Sequence, residues 1–162
     1  MSETLADPYR TPDAPLNRAH DNRDILRFKR FTAWGVLGLS IITLGIYPVY
    51  WMVTRAQVIN LFHEDRISPV LLYLLVIATV FSMATFFLGA SETEVIISGV
   101  ITLVYFTFYL IVLFKIRNRL QEIVNHTSDQ RYKINIVLTF FFYTIYLQYK
   151  INECIDDLKT GA

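Results

Sequence analysis

The chain has 162 residues, 54% of them hydrophobic, and a formal net charge of +1. That apolar share exceeds the roughly 45–50% of soluble domains and is gathered into blocks, which excludes an ordinary soluble globule. The single cysteine, Cys154, excludes an internal disulfide, and the near-neutral charge gives no case for a nucleic-acid partner.

Uncharged runs occupy 31–54, 67–91, 95–114 and 134–149, with lengths of 24, 25, 20 and 16 residues. A helix needs about 20 residues to cross a hydrocarbon core, so three runs are long enough and the fourth is short. The reading is an all-α integral membrane protein with a polar, flexible cytoplasmic tail over 1–26. A single membrane domain follows over 27–157, with a short C-terminal end over 158–162.

The tail carries Pro8, Pro12 and Pro15 and closes on Arg27, Lys29 and Arg30, a basic collar against the first apolar run. Such a collar anchors on anionic headgroups, at about 1 kcal/mol per basic residue. Late in the first run stands Thr43-Leu44-Gly45-Ile46-Tyr47-Pro48-Val49-Tyr50-Trp51. Gly45 is permissive, Pro48 removes a backbone donor, and Tyr47 before proline is pushed away from the helical region, so a break is expected here. The linker 55–66 clusters Val58, Ile59, Leu61 and Phe62 on one side and is expected to lie along the membrane interface.

The second run opens at Ser68-Pro69, a good helix start. Its Ala78, Ser82, Thr85 and Gly89 form a small-residue face. The third run places Ser98, Thr102, Tyr105 and Tyr109 at the same spacing, which reads as a packing seam between two antiparallel spans. Only Ser91 to Glu94 separates them, so the spans, at about 69–90 and 95–114, form a hairpin. Beyond it, Ile116, Leu120, Ile123 and Val124 make an apolar stripe on a helix that either continues the span or rests on headgroups. Lys115, Arg117 and Arg119 are its expected lipid anchors.

The last run echoes the first. Thr139, Tyr143 and Tyr146 repeat the Thr-x-x-x-Tyr-x-x-Tyr spacing of Thr43, Tyr47 and Tyr50. Gln57 and Asn60 follow the first set, Gln148 and Asn152 the second, and these four polar side chains are expected to bond across the two segments or to cap at the interface.

Charge placement discriminates the topologies. If all four runs cross, eight Lys and Arg fall on one side and seven on the other, which is no bias. If only the middle two cross, all 15 lie on one side and the other shows only Glu92 and Glu94. The favoured arrangement is therefore a central hairpin flanked by two broken, re-entrant segments, with both termini cytoplasmic. Four full spans are the alternative, in which Tyr47, Tyr50, Trp51, Tyr143 and Tyr146 would be interfacial aromatic belts.

The stretch Ile42-Thr43-Leu44-Gly45-Ile46-Tyr47, followed by Tyr50-Trp51, resembles the signature of a family of small bacterial membrane proteins, domain of unknown function 4234. The resemblance covers about residues 27–155. It implies a bacterial inner-membrane location and brings no catalytic residues.

Chemical motifs are sparse. His20, His63 and His126 stand apart, at no metal-ligand spacing. No nucleophile sits beside a base, no glycine-rich phosphate loop is present, and no charge lies within the four runs, which counts against ion-coupled transport. No catalytic, metal or cofactor site is expected. The favoured function is a non-enzymatic scaffold or accessory protein binding anionic lipid, a partner membrane protein or a second copy, with membrane shaping as a consequence. The alternative is an oligomeric channel or small-solute transporter lined by Tyr47, Tyr50, Ser98 and Thr102.

Overall fold

In a computed structural model the described residues, 24–62, 65–88, 92–127 and 133–160, form five α-helices and one 3-10 turn, with no strand among them. Residues 1–23 of the tail, His20, His63 and Gly89 lie outside the described residues, as do the side chains of Phe62, Glu92, Glu94 and His126.

Helix α1, Ala33–Ile42, starts where the Thr32 hydroxyl accepts the Gly35 N–H at 3.0 Å. Gly35 has a packing reason: a β-carbon there would meet the Phe31 ring and Thr32 Oγ1 at 2.7 Å. At Gly38 the same atom would meet nothing within 4 Å. Gly35→Ala is therefore expected to lower the melting temperature in detergent. Gly38→Ala should leave it unchanged or raise it, because alanine gains about 1 kcal/mol over glycine in a helix.

The helix ends in a Schellman motif. The Gly45 N–H donates to Ser40 O at 2.8 Å and the Leu44 N–H to Ile41 O at 3.1 Å, with Leu44 at φ 50° and Gly45 at φ 91°. Thr43 serves both sides of the break: its hydroxyl donates to Leu39 O at 2.7 Å and accepts the Tyr47 N–H at 2.9 Å. Helix α2, Ile46–Phe62, begins immediately. The break expected from Gly45 and Pro48 together falls at Gly45, and the share given to Pro48, with Tyr47 pushed out of helical geometry, is corrected. Tyr47 is helical under the Thr43 cap, and Pro48 sits in the first turn, where its missing N–H had no intrahelical acceptor to lose.

After the break the chain doubles back. The Arg55 guanidinium donates to Lys29 O at 2.8 Å, bringing the two ends of the 31–54 run together. The linker 55–66 is not a separate interfacial helix either. It continues α2 to Phe62, with Ile59 fully buried and Leu61 exposed, and Asn60 ties its end to Ile67 through two hydrogen bonds of 2.8 and 2.7 Å.

Helix α3, Pro69–Leu88, packs along α4, Glu92–Thr127. Their stretches Pro69–Phe87 and Val95–Asn125 are long and apolar enough to cross a membrane. The stripe Ile116, Leu120, Ile123, Val124 is buried in the same core as Ile25 and Phe28, so α4 runs on as a packed helix rather than resting on a surface. The polar seam on α4 is corrected in its upper part. Thr102 is exposed and turns its hydroxyl back to Ser98 O at 2.9 Å, whereas Tyr109 is buried.

Helix α5, Ile136–Thr160, is capped by Asn135, whose Oδ1 accepts the Val137 N–H at 2.8 Å. It kinks at Tyr143, which has φ 43° and ψ −128°. The segment before the kink lies beside α4: Ile134 is held by Arg117 and Gln121, and the Tyr143 ring meets Tyr109 edge-on at 5.7 Å. Beyond the kink, Leu147, Ile151, Cys154 and Ile155 are buried, and Asp156 pairs with Arg30 at 2.9 Å. Both breaks border one cavity of about 260 Å³, lined by Gly45, Pro48, Tyr105, Phe106, Tyr109 and Tyr143.

Candidate functional site

Three elements meet at a buried polar junction below the two breaks. Gln148, fully buried on α5, is its centre. Its Oε1 accepts from Trp51 Nε1 at 2.8 Å and from Arg55 Nη2 at 3.0 Å. Its amide donates to Asn152 Oδ1 at 2.9 Å, and the Asn152 amide donates to Phe31 O at 2.7 Å. Arg55 also reaches Lys29 O and lies 5.6 Å from the centre of the Trp51 ring. Helical spacing explains the geometry: Trp51 and Arg55, and likewise Gln148 and Asn152, are four apart and so share a face.

Arg55 is a charge that the sequence reading treated as part of a linker. It is 7% exposed and forms no ion pair among the described residues; carbonyl oxygens and an indole face balance it instead. Burial lowers its pKa. Its Nε is the one buried side-chain nitrogen or oxygen left without a hydrogen bond among the described residues. The nearby Trp51–Arg55 spacing is the signal that could have flagged it.

Of the four polar residues singled out by sequence, the junction takes Gln148 and Asn152. Asn60 serves the α2–α3 connection, and Gln57 is exposed. Trp51 is 2% exposed and bonded within the core, which does not fit the interfacial belt of the four-span alternative. Tyr47 packs between Phe31 and Tyr50, with ring centres 6.3 and 6.0 Å away, while Tyr50 is exposed. The Tyr146 hydroxyl accepts the Asn135 N–H at 3.1 Å, and Thr139 is fully buried with its hydroxyl on Asn135 O at 2.8 Å.

The expected lipid anchors divide. Lys29 and Lys115 are exposed, as is Arg27. Arg117 is a correction: it is buried, its guanidinium donating to Ile134 O and to Asn118 Oδ1 at 2.7 Å, so its charge holds the start of α5. Arg119 pairs with Asp65 at 3.1 Å and with Glu122 at 2.8 Å.

Cys154 is buried beside the junction, and burial pushes its thiol from 9.0 up to about 11. A raised thiol pKa means that the fold favours the protonated form. This contribution is fully present below pH 9 and is lost as pH rises towards 11. A shift of two units corresponds to about 2–3 kcal/mol. Cys154→Ala should therefore lose stability less steeply than the parent between pH 9 and 11 in denaturant titrations, and the native thiol should resist alkylation at pH 8.

No group of three or more His, Cys, Asp or Glu able to hold a metal occurs among the described residues. Comparison with curated proteins and with solved structures gives no match. One family does match, described as Domain of unknown function (DUF4234), over residues 31–157. That stretch takes in both broken segments, the apolar pair and every side chain of the junction, so the chain belongs to the DUF4234 family.

Proposed function

We propose that the protein is a non-enzymatic scaffold or accessory protein of the bacterial inner membrane, built as an asymmetric wedge. In this reading α3 and α4 cross the bilayer, while the α1–α2 pair and the first part of α5 enter from the cytoplasmic side and turn at mid-depth. One observation carries it: both turns border the cavity at Tyr105 and Tyr109. These residues lie ten and six positions before Lys115, about 15 and 9 Å along α4, near the middle of a run about 30 Å long.

At the first turn the half-buried Thr43 hydroxyl satisfies backbone on both sides of the break, as lipid requires. The segments fill the cytoplasmic leaflet and leave the opposite one to two helices. Basic residues at the cytoplasmic base, Lys29 and Lys115 among them, suit an anionic leaflet. The wedge would bind such lipid, a partner membrane protein or a second copy.

Reconstitution tests the reading. Purified protein in vesicles containing anionic lipid should partition into thin, curved tethers over flat membrane, with the cytoplasmic face on the convex side. Equal density in tether and flat membrane would overturn the wedge.

A further inference from the structure

A second groove lies between α2 and α3. The two helices are joined by the Asn60–Ile67 bonds, and they flank a cleft of about 380 Å³ lined by positions within 46–53 of one and 76–83 of the other. We infer that this cleft holds the acyl chains of one anionic phospholipid, with its headgroup at Arg66.

The walls select hydrocarbon. Val49 and Thr79 are buried and form the floor, while Tyr50, Val76 and Val80 stand exposed at the rims. Thr79 turns its hydroxyl back on Leu75 O at 2.7 Å, so the floor uses its only polar side chain within its own helix. An occupant carrying donors or acceptors would leave them unmatched there.

Shape selects chains over a helix. Seven residues of helix rise about 10 Å, which gives the cleft a section of about 40 Å². A second copy's helix, about 10–12 Å across, is too wide to enter. An extended hydrocarbon chain, whose carbons touch their neighbours at about 4 Å, takes about half the section, so the two chains of one lipid fill it.

Charge complementarity supplies the headgroup. The end of the cleft at Val53 lies seven residues, about 10 Å, above Asn60 and the link to α3. Arg66 stands in that link beside Ile67; it is exposed and forms no ion pair among the described residues, whereas Asp65 is held by Arg119 at 3.1 Å. An exposed cation one half-chain below an apolar cleft fits an anionic lipid. The site rests on the embedding proposed above, which sets this link among the cytoplasmic headgroups and the cleft among the chains of that leaflet.

Native mass spectrometry tests it. The full chain, delipidated in detergent micelles, is titrated with phosphatidylglycerol. One lipid per chain should bind saturably, at least fivefold more tightly than phosphatidylcholine with the same chains. Val76→Phe with Val80→Phe places two rings at the exposed rim and should weaken binding at least tenfold. Ile97→Phe, exposed on α4 and outside the cleft, should leave it unchanged. Arg66→Gln should bring the two lipids to equal affinity. Phosphatidylglycerol with a diazirine midway along one chain gives a reading that needs no variant: its adducts should fall within residues 46–53 and 76–83.

Binding that never saturates overturns the inference, as do adducts spread over Phe86–Phe87 and Phe140–Phe142, or an unchanged affinity in the folded double variant. A two-copy mass that added lipid does not dissolve, and that the double variant abolishes, would assign the cleft to a second copy instead. Because these measurements run in micelles, their failure leaves the tether experiment intact. Equal density in tether and flat membrane would likewise leave a one-to-one lipid complex standing.

Discussion

Gln148→Leu is expected to be the most damaging conservative-volume change in the chain, costing about 3–5 kcal/mol. Leucine would fit the space, so the loss is electrostatic. Trp51 Nε1 and the Arg55 guanidinium would lose their common acceptor, and Asn152 Oδ1 its donor, all within the core. Removing the charge as well should recover part of the loss, because an unpaired buried cation is worse than none. The double variant Arg55→Met, Gln148→Leu is therefore expected to be less destabilised than the sum of its singles by at least 1 kcal/mol. Denaturant unfolding in micelles, read as a double-mutant cycle, measures this directly. Additive losses would mean that Arg55 and Gln148 do not act through their bond.

Gly45→Ala with Pro48→Leu should produce the second large effect, this time on topology. Alanine at φ 91° is strained, and the right-handed helix it prefers would carry α1 straight into α2. Pro48 would then stand in a helix interior, where it costs about 3 kcal/mol, so its replacement is needed as well. Pro48→Leu alone should change nothing, since the break precedes it. In the proposed embedding, a straight segment would send the end of α2 across the membrane. With Cys154→Ala and the exposed Gln57→Cys, an impermeant maleimide added to intact cells should label the double variant and spare both the parent and Pro48→Leu. No labelling of the double variant would show that contacts with α4 and α5, and not the local break, set the topology.

Legibility in the sequence followed the range of the interactions. The two long apolar helices are written in uninterrupted runs, and the break in the first segment in Gly45, because both depend on neighbours along the chain. Pro48 misled because a proline three residues after Gly45 resembles the cause of the break; the Thr43 hydroxyl, bonding forwards and backwards, and the bonds of Leu44 and Gly45 show where the helix stops. Leu44 in a left-handed conformation carries no sequence signal, since glycine is the usual residue at that position.

The junction was half visible. Gln148 and Asn152 stood out as polar residues after a tyrosine motif, but Arg55 looked like a linker residue and Arg117 like a lipid anchor. Their burial is decided by the carbonyls of Lys29 and Ile134, 26 and 17 positions away, which no local pattern encodes.

The reach of those bonds also bears on the order in which the chain acquires its fold. Gln148 and Asn152 close onto Trp51, Arg55 and Phe31 across 93 to 121 positions, and the ion pair from Arg30 to Asp156 spans 126. During synthesis the first broken segment emerges early, yet the groups that fasten it are almost the last to be made. Until they arrive it is held by its own turn and by contacts with α3 and α4. The first segment is thus given its shape at the start of translation and its lock only at the end, and a chain interrupted before Gln148 would leave that hairpin unfastened.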